Sequence, residues 1–105
     1  METASFYENL IYREDKPVLN VILQTTVSKE VRITFKKGQE MKEHKSSYPI
    51  VLQVIEGSVD FGIPSERKTL EKGMLISLEP DILHDLKALE MSIVRLSIHV
   101  GFKIN

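Results

Sequence analysis

Short stretches of alternating apolar and polar residues run through most of the chain, which is the pattern of β-strands rather than of helices. In the first third of the sequence three large apolar residues alternate with three polar ones: Val31, Ile33 and Phe35 against Arg32, Thr34 and Lys36. Because successive side chains of a strand point to opposite faces, this stretch predicts one buried face and one solvated face. Residues 50–55 are almost continuously apolar, which predicts a strand covered on both faces.

Turn residues separate these stretches at close and even spacing. Glu56-Gly57-Ser58 predicts a hairpin turn, Gly62 and Pro64 mark the next bend, and Lys72-Gly73 marks another turn. Further strands are expected around residues 74–79, 84–88 and 93–99. Eight or nine short strands, with no room for crossover helices, predict an all-β antiparallel barrel or sandwich.

Residues 4–12 carry large apolar groups interleaved with charges. This pattern fits either a short helix or an edge strand, and the sequence does not decide between the two.

The composition limits both the class of protein and its partners. A chain of 105 residues with 42% hydrophobic and 28% charged residues is expected to fold as one domain, residues 1–105. Its 14 basic and 15 acidic residues give no basic patch, so no nucleic-acid partner is predicted. No apolar run approaches the roughly 20 residues of a membrane span, so no membrane partner is predicted either.

The cysteine count and the first residues bear on chemistry and location. There is no cysteine, which excludes disulfides, thiolate metal ligands and cysteine nucleophiles. An acidic residue, Glu2, stands where a secretory signal would carry positive charge, and no apolar stretch follows it. We therefore expect a cytoplasmic protein.

One segment places a histidine between two glycines at defined spacing. It reads Gly38, five residues, His44-Lys45-Ser46, three residues, Ile50, six residues, Gly57. His44 and Ser46 are two apart and would share one strand face. A serine nucleophile is not inferred from this pair, because no third group that would orient the histidine is identifiable.

A second segment repeats the arrangement of glycine followed by histidine. It reads Gly73, five residues, Glu79-Pro80-Asp81, two residues, His84, three residues, Ala88. Asp85 should point away from His84 on a strand, and His99 should lie on the polar face of the last strand.

Over about residues 31–98 these two segments resemble the two motifs of small single-domain cupins. The first cupin motif is Gly-x5-His-x-His-x3-4-Glu-x6-Gly, and the second is Gly-x5-Pro-x-Gly-x2-His-x3-Asn. All three framing glycines and both outer histidines are in register. The resemblance implies a cupin fold, a double-stranded β-helix or jelly-roll barrel with one interior pocket.

Four motif positions hold other residues. Asp81 stands at the glycine and Ala88 at the asparagine of the second motif, and the other two departures concern the metal ligands. In metal-binding cupins three histidines and one glutamate hold a divalent ion, whereas here Ser46 and Ile50 replace one histidine and the glutamate. The resemblance leaves His44 and His84 as metal candidates that would bind a divalent transition metal only weakly. No tightly bound cofactor is expected.

Two classes of function follow from this resemblance. The first is a barrel without a complete metal site that binds a small organic molecule, as a ligand-sensing or regulatory module. The residues predicted to line its pocket are His44, Ser46, Ile50, Leu52, Asp81 and His84. The second is an enzyme, either a metal-dependent oxygenase with an incomplete His44/His84 site or a metal-free isomerase with a histidine base. Small cupins commonly pair through sheet edges and an N-terminal segment, so a homodimer is also expected, with residues 4–12 taking part in its interface.

Overall fold

The structure, a computed structural model, describes residues 1–101, and within them it contains nine β-strands and no helix. The strands are β1 (Val18–Gln24), β2 (Lys29–Phe35), β3 (Glu40–His44), β4 (Ile50–Glu56), β5 (Ser58–Ile63), β6 (Glu66–Glu71), β7 (Leu75–Leu78), β8 (His84–Ala88) and β9 (Ser92–Ile98). A five-stranded sheet has the order β1-β2-β9-β4-β7 and a four-stranded sheet the order β3-β8-β5-β6. All the strand pairs are antiparallel, which confirms the predicted fold class.

The two sheets enclose one hydrophobic core. Its buried members come from both sheets: Val31, Ile33, Phe35, Leu52, Val54 and Val94 from the first, and Val59, Phe61, Leu70, Leu86 and Ala88 from the second. In each strand that contributes more than one of them, these residues are two apart, as the alternation predicts. The alternation of β2 and β8 therefore places apolar side chains between the sheets, where their burial drives folding.

The other face of β2 is not solvated, and that prediction was wrong. Arg32 is only 4% exposed and Thr34 only 1% exposed, although both point away from the core. Residues 4–12 cover them. The Arg32 guanidinium donates hydrogen bonds to four backbone carbonyls of that segment, those of Ser5, Phe6, Glu8 and Asn9.

This contact also explains why residues 4–12 form neither the short helix nor the edge strand considered above. Thr34 donates its hydroxyl to the carbonyl of Ile11, so two side chains of β2 satisfy carbonyls that a helix or a ladder would otherwise use. The segment follows an irregular path with turns and no strand pairing. A buried guanidinium is favoured here because its planar donors reach several carbonyls at once.

Three further expectations need correction. Glu56-Gly57-Ser58 is not a hairpin turn, since β4 and β5 lie in different sheets and the tripeptide carries the chain from one to the other. Gly62 lies inside β5, and the β5–β6 turn falls at residues 64–65. The outer face of β4 is half-buried rather than covered.

A side chain at Gly62 would displace the guanidinium of Arg67. The Arg67 guanidinium lies where a Cβ would be, with Nη1 2.0 Å from that point, and it bridges Asp60 and Asp85 on the outer surface. Glycine at this position therefore allows the guanidinium to lie against the strand and does not mark a bend. Within residues 1–101, no helix is long and apolar enough to cross a membrane.

Candidate functional site

Two histidines meet at one end of the barrel. His44 is the last residue of β3 and His84 the first of β8, and the two are paired across these strands. Their ring centroids are 4.3 Å apart, with the planes tilted by 60°. His84 is 4% exposed and stacks on Phe61 of the core, with 5.8 Å between ring centroids. The predicted convergence of His44 and His84 is therefore seen in the structure.

Backbone carbonyls orient both imidazoles in the same way. His44 Nδ1 lies 2.7 Å from the carbonyl oxygen of Lys42, and His84 Nδ1 lies 2.9 Å from that of Ile82. Because a carbonyl oxygen only accepts, each Nδ1 carries the hydrogen, and in the neutral ring each Nε2 keeps its lone pair. Within residues 1–101 neither Nε2 makes a hydrogen bond, so the pair offers two nitrogen acceptors to a bound molecule.

The surroundings of His84 favour its neutral form. Burial lowers the pKa of His84, and the neighbouring His44 lowers it further, while the carbonyl of Ile82 and the charge of Asp85 oppose the shift. Since burial is the largest of these effects, the pKa of His84 lies below its usual value. The ring is then uncharged at neutral pH.

This lowered pKa predicts loss of stability in mild acid. As the pH falls through about 6.5, His84 of the unfolded chain takes up a proton that the folded protein still rejects, which costs at most about 1.4 kcal/mol per pH unit. The loss ends below the folded-state pKa, where both states are protonated. Urea unfolding between about pH 8 and pH 5 measures it. His84→Gln should flatten the slope, whereas the exposed control His99→Gln should keep it; equal slopes in the parent and His84→Gln would contradict the assignment.

The other four predicted pocket residues divide into two groups. Ile50 and Leu52 are 3% and 2% exposed on the inner face of β4, and Leu52 packs within the core. Ser46 and Asp81 lie in loops, joined by a hydrogen bond from the Asp81 amide to the Ser46 carbonyl. The Ser46 hydroxyl accepts the amide of Tyr48, so it closes a local turn.

Asp81 has a conformational role that the cupin motif accounts for. It stands at the motif glycine and has a φ of 65°, and the three framing glycines have φ of 88°, 92° and 91°. Aspartate tolerates this left-handed region better than most residues. Its side chain is exposed, so backbone geometry rather than ligand contact is the property that the structure shows at Asp81.

The donor set does not fit a tightly held metal ion. Within residues 1–101 no three His, Asp, Glu or Cys side chains come together as a ligand group. Ile50 supplies no donor atom, and the Ser46 hydroxyl is held by the Tyr48 amide. Two imidazoles alone lack the three or four ligands from which metal sites gain their affinity.

A cleft that the sequence analysis missed opens beside this pair, between β6 and β7. Its volume is about 190 Å³, and Phe61, which stacks on His84, forms part of its wall. Two charged side chains line it, Glu66 and Lys68. The sequence signal for both residues is their even spacing from the core residue Leu70, which predicts that they share the inner face of β6.

Two side chains that were predicted to point away from the site do so. Asp85 pairs with Arg67 on the outer surface, 2.9 Å away, and this contact holds the pKa of Asp85 below its usual range. His99 is exposed and lines an outer groove together with Arg95 and Ser97.

Comparison with known proteins identifies the fold. No family profile matches the sequence, and no curated protein matches it. An RmlC-like cupin protein from Desulfovibrio desulfuricans superposes with a TM-score of 0.87 at 20% identity, over 95% of this chain and 97% of that one. The TT1209 protein of Thermus thermophilus gives 0.86 at 18% identity, over 94% and 97%.

A conserved protein from Klebsiella pneumoniae with a double-stranded β-helix domain gives a TM-score of 0.82 at 19% identity, over 96% of this chain and 92% of that one. At such identities the likeness concerns the fold, and it extends over nearly the whole chain. With nine antiparallel strands in two facing sheets over residues 1–101, and with these structural neighbours, the protein has the fold of a small cupin-type domain.

Proposed function

We propose that this protein binds a small organic molecule at the His44–His84 end of the barrel, without a tightly held metal. The observation that carries the proposal is the adjacent pair of imidazoles, each fixed through Nδ1 and each presenting Nε2. Two preoriented acceptors beside a largely apolar wall are typical of small-molecule pockets.

The rim of this end favours a ligand with an apolar body. Tyr48 of the β3–β4 loop is 40% exposed, and Ile82 and Leu83 of the β7–β8 loop are 37% and 38% exposed. The Ser46–Asp81 hydrogen bond joins the same two loops, and each loop adjoins one of the two histidines in sequence. A hydroxyl or acid proton on the ligand would meet a neutral Nε2.

A pair of matched probes tests this proposal. Phenol carries a hydroxyl that can donate a hydrogen bond to Nε2. Toluene has nearly the same size but has no hydroxyl. We expect millimolar phenol to shift the Nε2 resonances of His44 and His84 in long-range ¹H–¹⁵N spectra, and toluene to leave them unchanged. His99→Gln should preserve the phenol response. Equal responses to both probes, or stoichiometric metal in protein purified without added ions, would refute the proposal.

A metal-free isomerase is the second candidate, and the lowered pKa of His84 favours it. An imidazole that stays neutral at neutral pH can act as a general base. Deuterium uptake at the α-carbon of phenylacetone in D₂O measures proton abstraction. The candidate requires uptake that is faster with the parent than with His84→Gln.

We further propose that the protein is a homodimer joined through β1. This strand is the outer edge of the five-stranded sheet, and its sequence VLNVILQ contains no charged residue and no proline. Leu19 and Val21 are 51% and 55% exposed, although their neighbours in the ladder, Ile33 and Val31, belong to the core. Two such edges can pair antiparallel about a twofold axis without charge repulsion.

Val21→Lys should convert this dimer to a monomer, because a charged side chain at the edge opposes strand pairing. Light scattering at micromolar concentration measures the mass. Leu75→Lys is the control, since Leu75 is an apolar residue, 60% exposed, on the opposite edge strand β7. A parent mass of 12.0 kDa would contradict the proposal.

A further inference from the structure

The cleft between β6 and β7 lies where the two sheets come apart. β6 is the last strand of the four-stranded sheet and β7 the last strand of the five-stranded sheet. The cleft has a volume of about 190 Å³, and its main lining residues are Phe61, Ile63, Glu66, Lys68, Ile76 and Leu78. A cleft of this size suits a small molecule and not a peptide.

The floor of the cleft is the open edge of the hydrophobic core. Phe61 is 5% exposed, and the partly buried Ile63, Ile76 and Leu78 pack against the core from its margin. When an apolar ligand group covers aliphatic and aromatic surface in a concave site, the burial of that surface stabilises the complex.

Two opposite charges stand on the wall above this floor. Glu66 and Lys68 are four and two residues from the fully buried Leu70, so all three share the inner face of β6. Within residues 1–101, the ion pairs include neither Glu66 nor Lys68. Arg67, between them on the outer face, is by contrast held by two carboxylates.

We infer that this cleft binds a free amino acid with an aliphatic side chain. The ligand ammonium pairs with Glu66, its carboxylate pairs with Lys68, and its side chain covers Phe61 and Ile76. A zwitterion supplies a partner for both Glu66 and Lys68. A simple anion would leave Glu66 without a partner, and a simple cation would leave Lys68 without one. His44 and His84 do not line this cleft, although Phe61 contacts both sites, so the inference goes beyond the function proposed above.

Inward charges on an edge strand also have a purely structural use, because they discourage edge-to-edge association. The two roles predict different behaviour of charge-neutral variants. Loss of edge protection would produce self-association with unchanged ligand binding, whereas loss of a recognition group would produce weaker binding by a soluble protein.

Three related probes separate the contributions of the two charges. Leucine carries both ligand charges, 4-methylpentanoate lacks the ammonium, and isoamylamine lacks the carboxylate. We expect leucine to bind most tightly in ¹H–¹⁵N and methyl NMR titrations, with shifts concentrated at Phe61, Ile63, Ile76 and Leu78. Because both charged groups are exposed, each is expected to contribute up to about fivefold in affinity.

Variants complete the experiment. Lys68→Met should weaken leucine and 4-methylpentanoate but leave isoamylamine unchanged, and Glu66→Gln should weaken leucine and isoamylamine but leave 4-methylpentanoate unchanged. Lys37→Met and Glu71→Gln are matched controls, since both residues are exposed and lie outside the cleft. The inference fails if leucine shifts no cleft resonance, if the shifts fall on His44 and His84 instead, or if the cleft variants bind as the controls do.

Discussion

Replacement of Gly57 by alanine is expected to destabilise the protein by about 3 kcal/mol, from left-handed strain of about 1–2 kcal/mol and overpacking of about 1–3 kcal/mol. Gly57 has a φ of 92°, and a Cβ there would lie 2.2 Å from the Ser92 hydroxyl and 2.5 Å from the Met91 carbonyl oxygen. The Met91 oxygen and the Ser92 Cα, 2.8 Å away, are backbone atoms, so the obstacle cannot turn aside as a side chain could.

Gly73 provides a control with nearly the same backbone angle. Its φ is 91°, but a Cβ at this position would meet no atom within 4 Å. Gly73→Ala should therefore cost only the left-handed strain, about 1–2 kcal/mol. Urea denaturation of both variants gives the comparison. Equal losses of stability would mean that the crossing at Gly57 is less tightly packed than the structure shows.

The glycines explain why so much of this fold could be predicted from sequence. Gly38, Gly57 and Gly73 all have positive φ, so their spacing records backbone turns that few other residues can make. Asp81 keeps the same conformation at the fourth such position, although the glycine itself is absent. Motif spacing therefore predicted the path of the chain, although Ser46 and Ile50 stand at two of the ligand positions of the motif.

The outer face of β2 shows what the alternation could not predict. A pattern of alternating residues assigns Arg32 and Thr34 to the face opposite the core, and the structure agrees. Whether that face meets water depends on residues 4–12, whose bonded carbonyls are more than 20 positions away and whose sequence pattern does not predict where the segment packs. The guanidinium of Arg32 is buried because backbone carbonyls of a distant segment surround it. Their arrangement depends on the tertiary structure, which local alternation does not determine.

The site was predicted only in part for a similar reason. Motif spacing predicted that His44 and His84 converge. They do so because His44 ends β3, His84 begins β8, and the two residues are paired across these strands. Glu66 and Lys68 share the face of Leu70 by parity, but the cleft exists because β6 and β7 end their sheets without pairing to each other. That arrangement is a matter of strand order, which local alternation does not determine.

Positions 46 and 50 allow the strongest test of how the histidine end is arranged. His44 ends β3 in one sheet and Ile50 begins β4 in the other, so the short loop between them spans the mouth of the barrel. Ile50 is 3% exposed and pairs with Leu78, which lines the cleft beside Phe61. A carboxylate at position 50 and an imidazole at position 46 would supply the two ligands that a four-ligand site at this mouth lacks.

The double variant Ser46→His, Ile50→Glu should be much less stable than the parent without metal and should regain stability with it. An unpaired buried carboxylate costs several kcal/mol or forces protonation, and at about 4–8 °C per kcal/mol the melting temperature should fall by roughly 15 °C. Loss of the Ser46 hydroxyl bond to the Tyr48 amide adds about 1 kcal/mol.

Added Ni²⁺ or Zn²⁺ should reverse most of this loss, because a metal that binds only the folded state stabilises it in proportion to its affinity. The matched control is Ser46→His, Ile50→Gln, which has nearly the same shape but no charge to neutralise the ion. Metal should raise the melting temperature of this control far less than that of the Glu variant, and that of the parent least of all. Calorimetric titration should give metal affinities in the same order. Tight binding by the parent would show that other residues complete its site, and the enzyme interpretation would then be preferred. A folded double variant that ignores both metals would instead place the side chain at position 46 or 50 outside the barrel mouth.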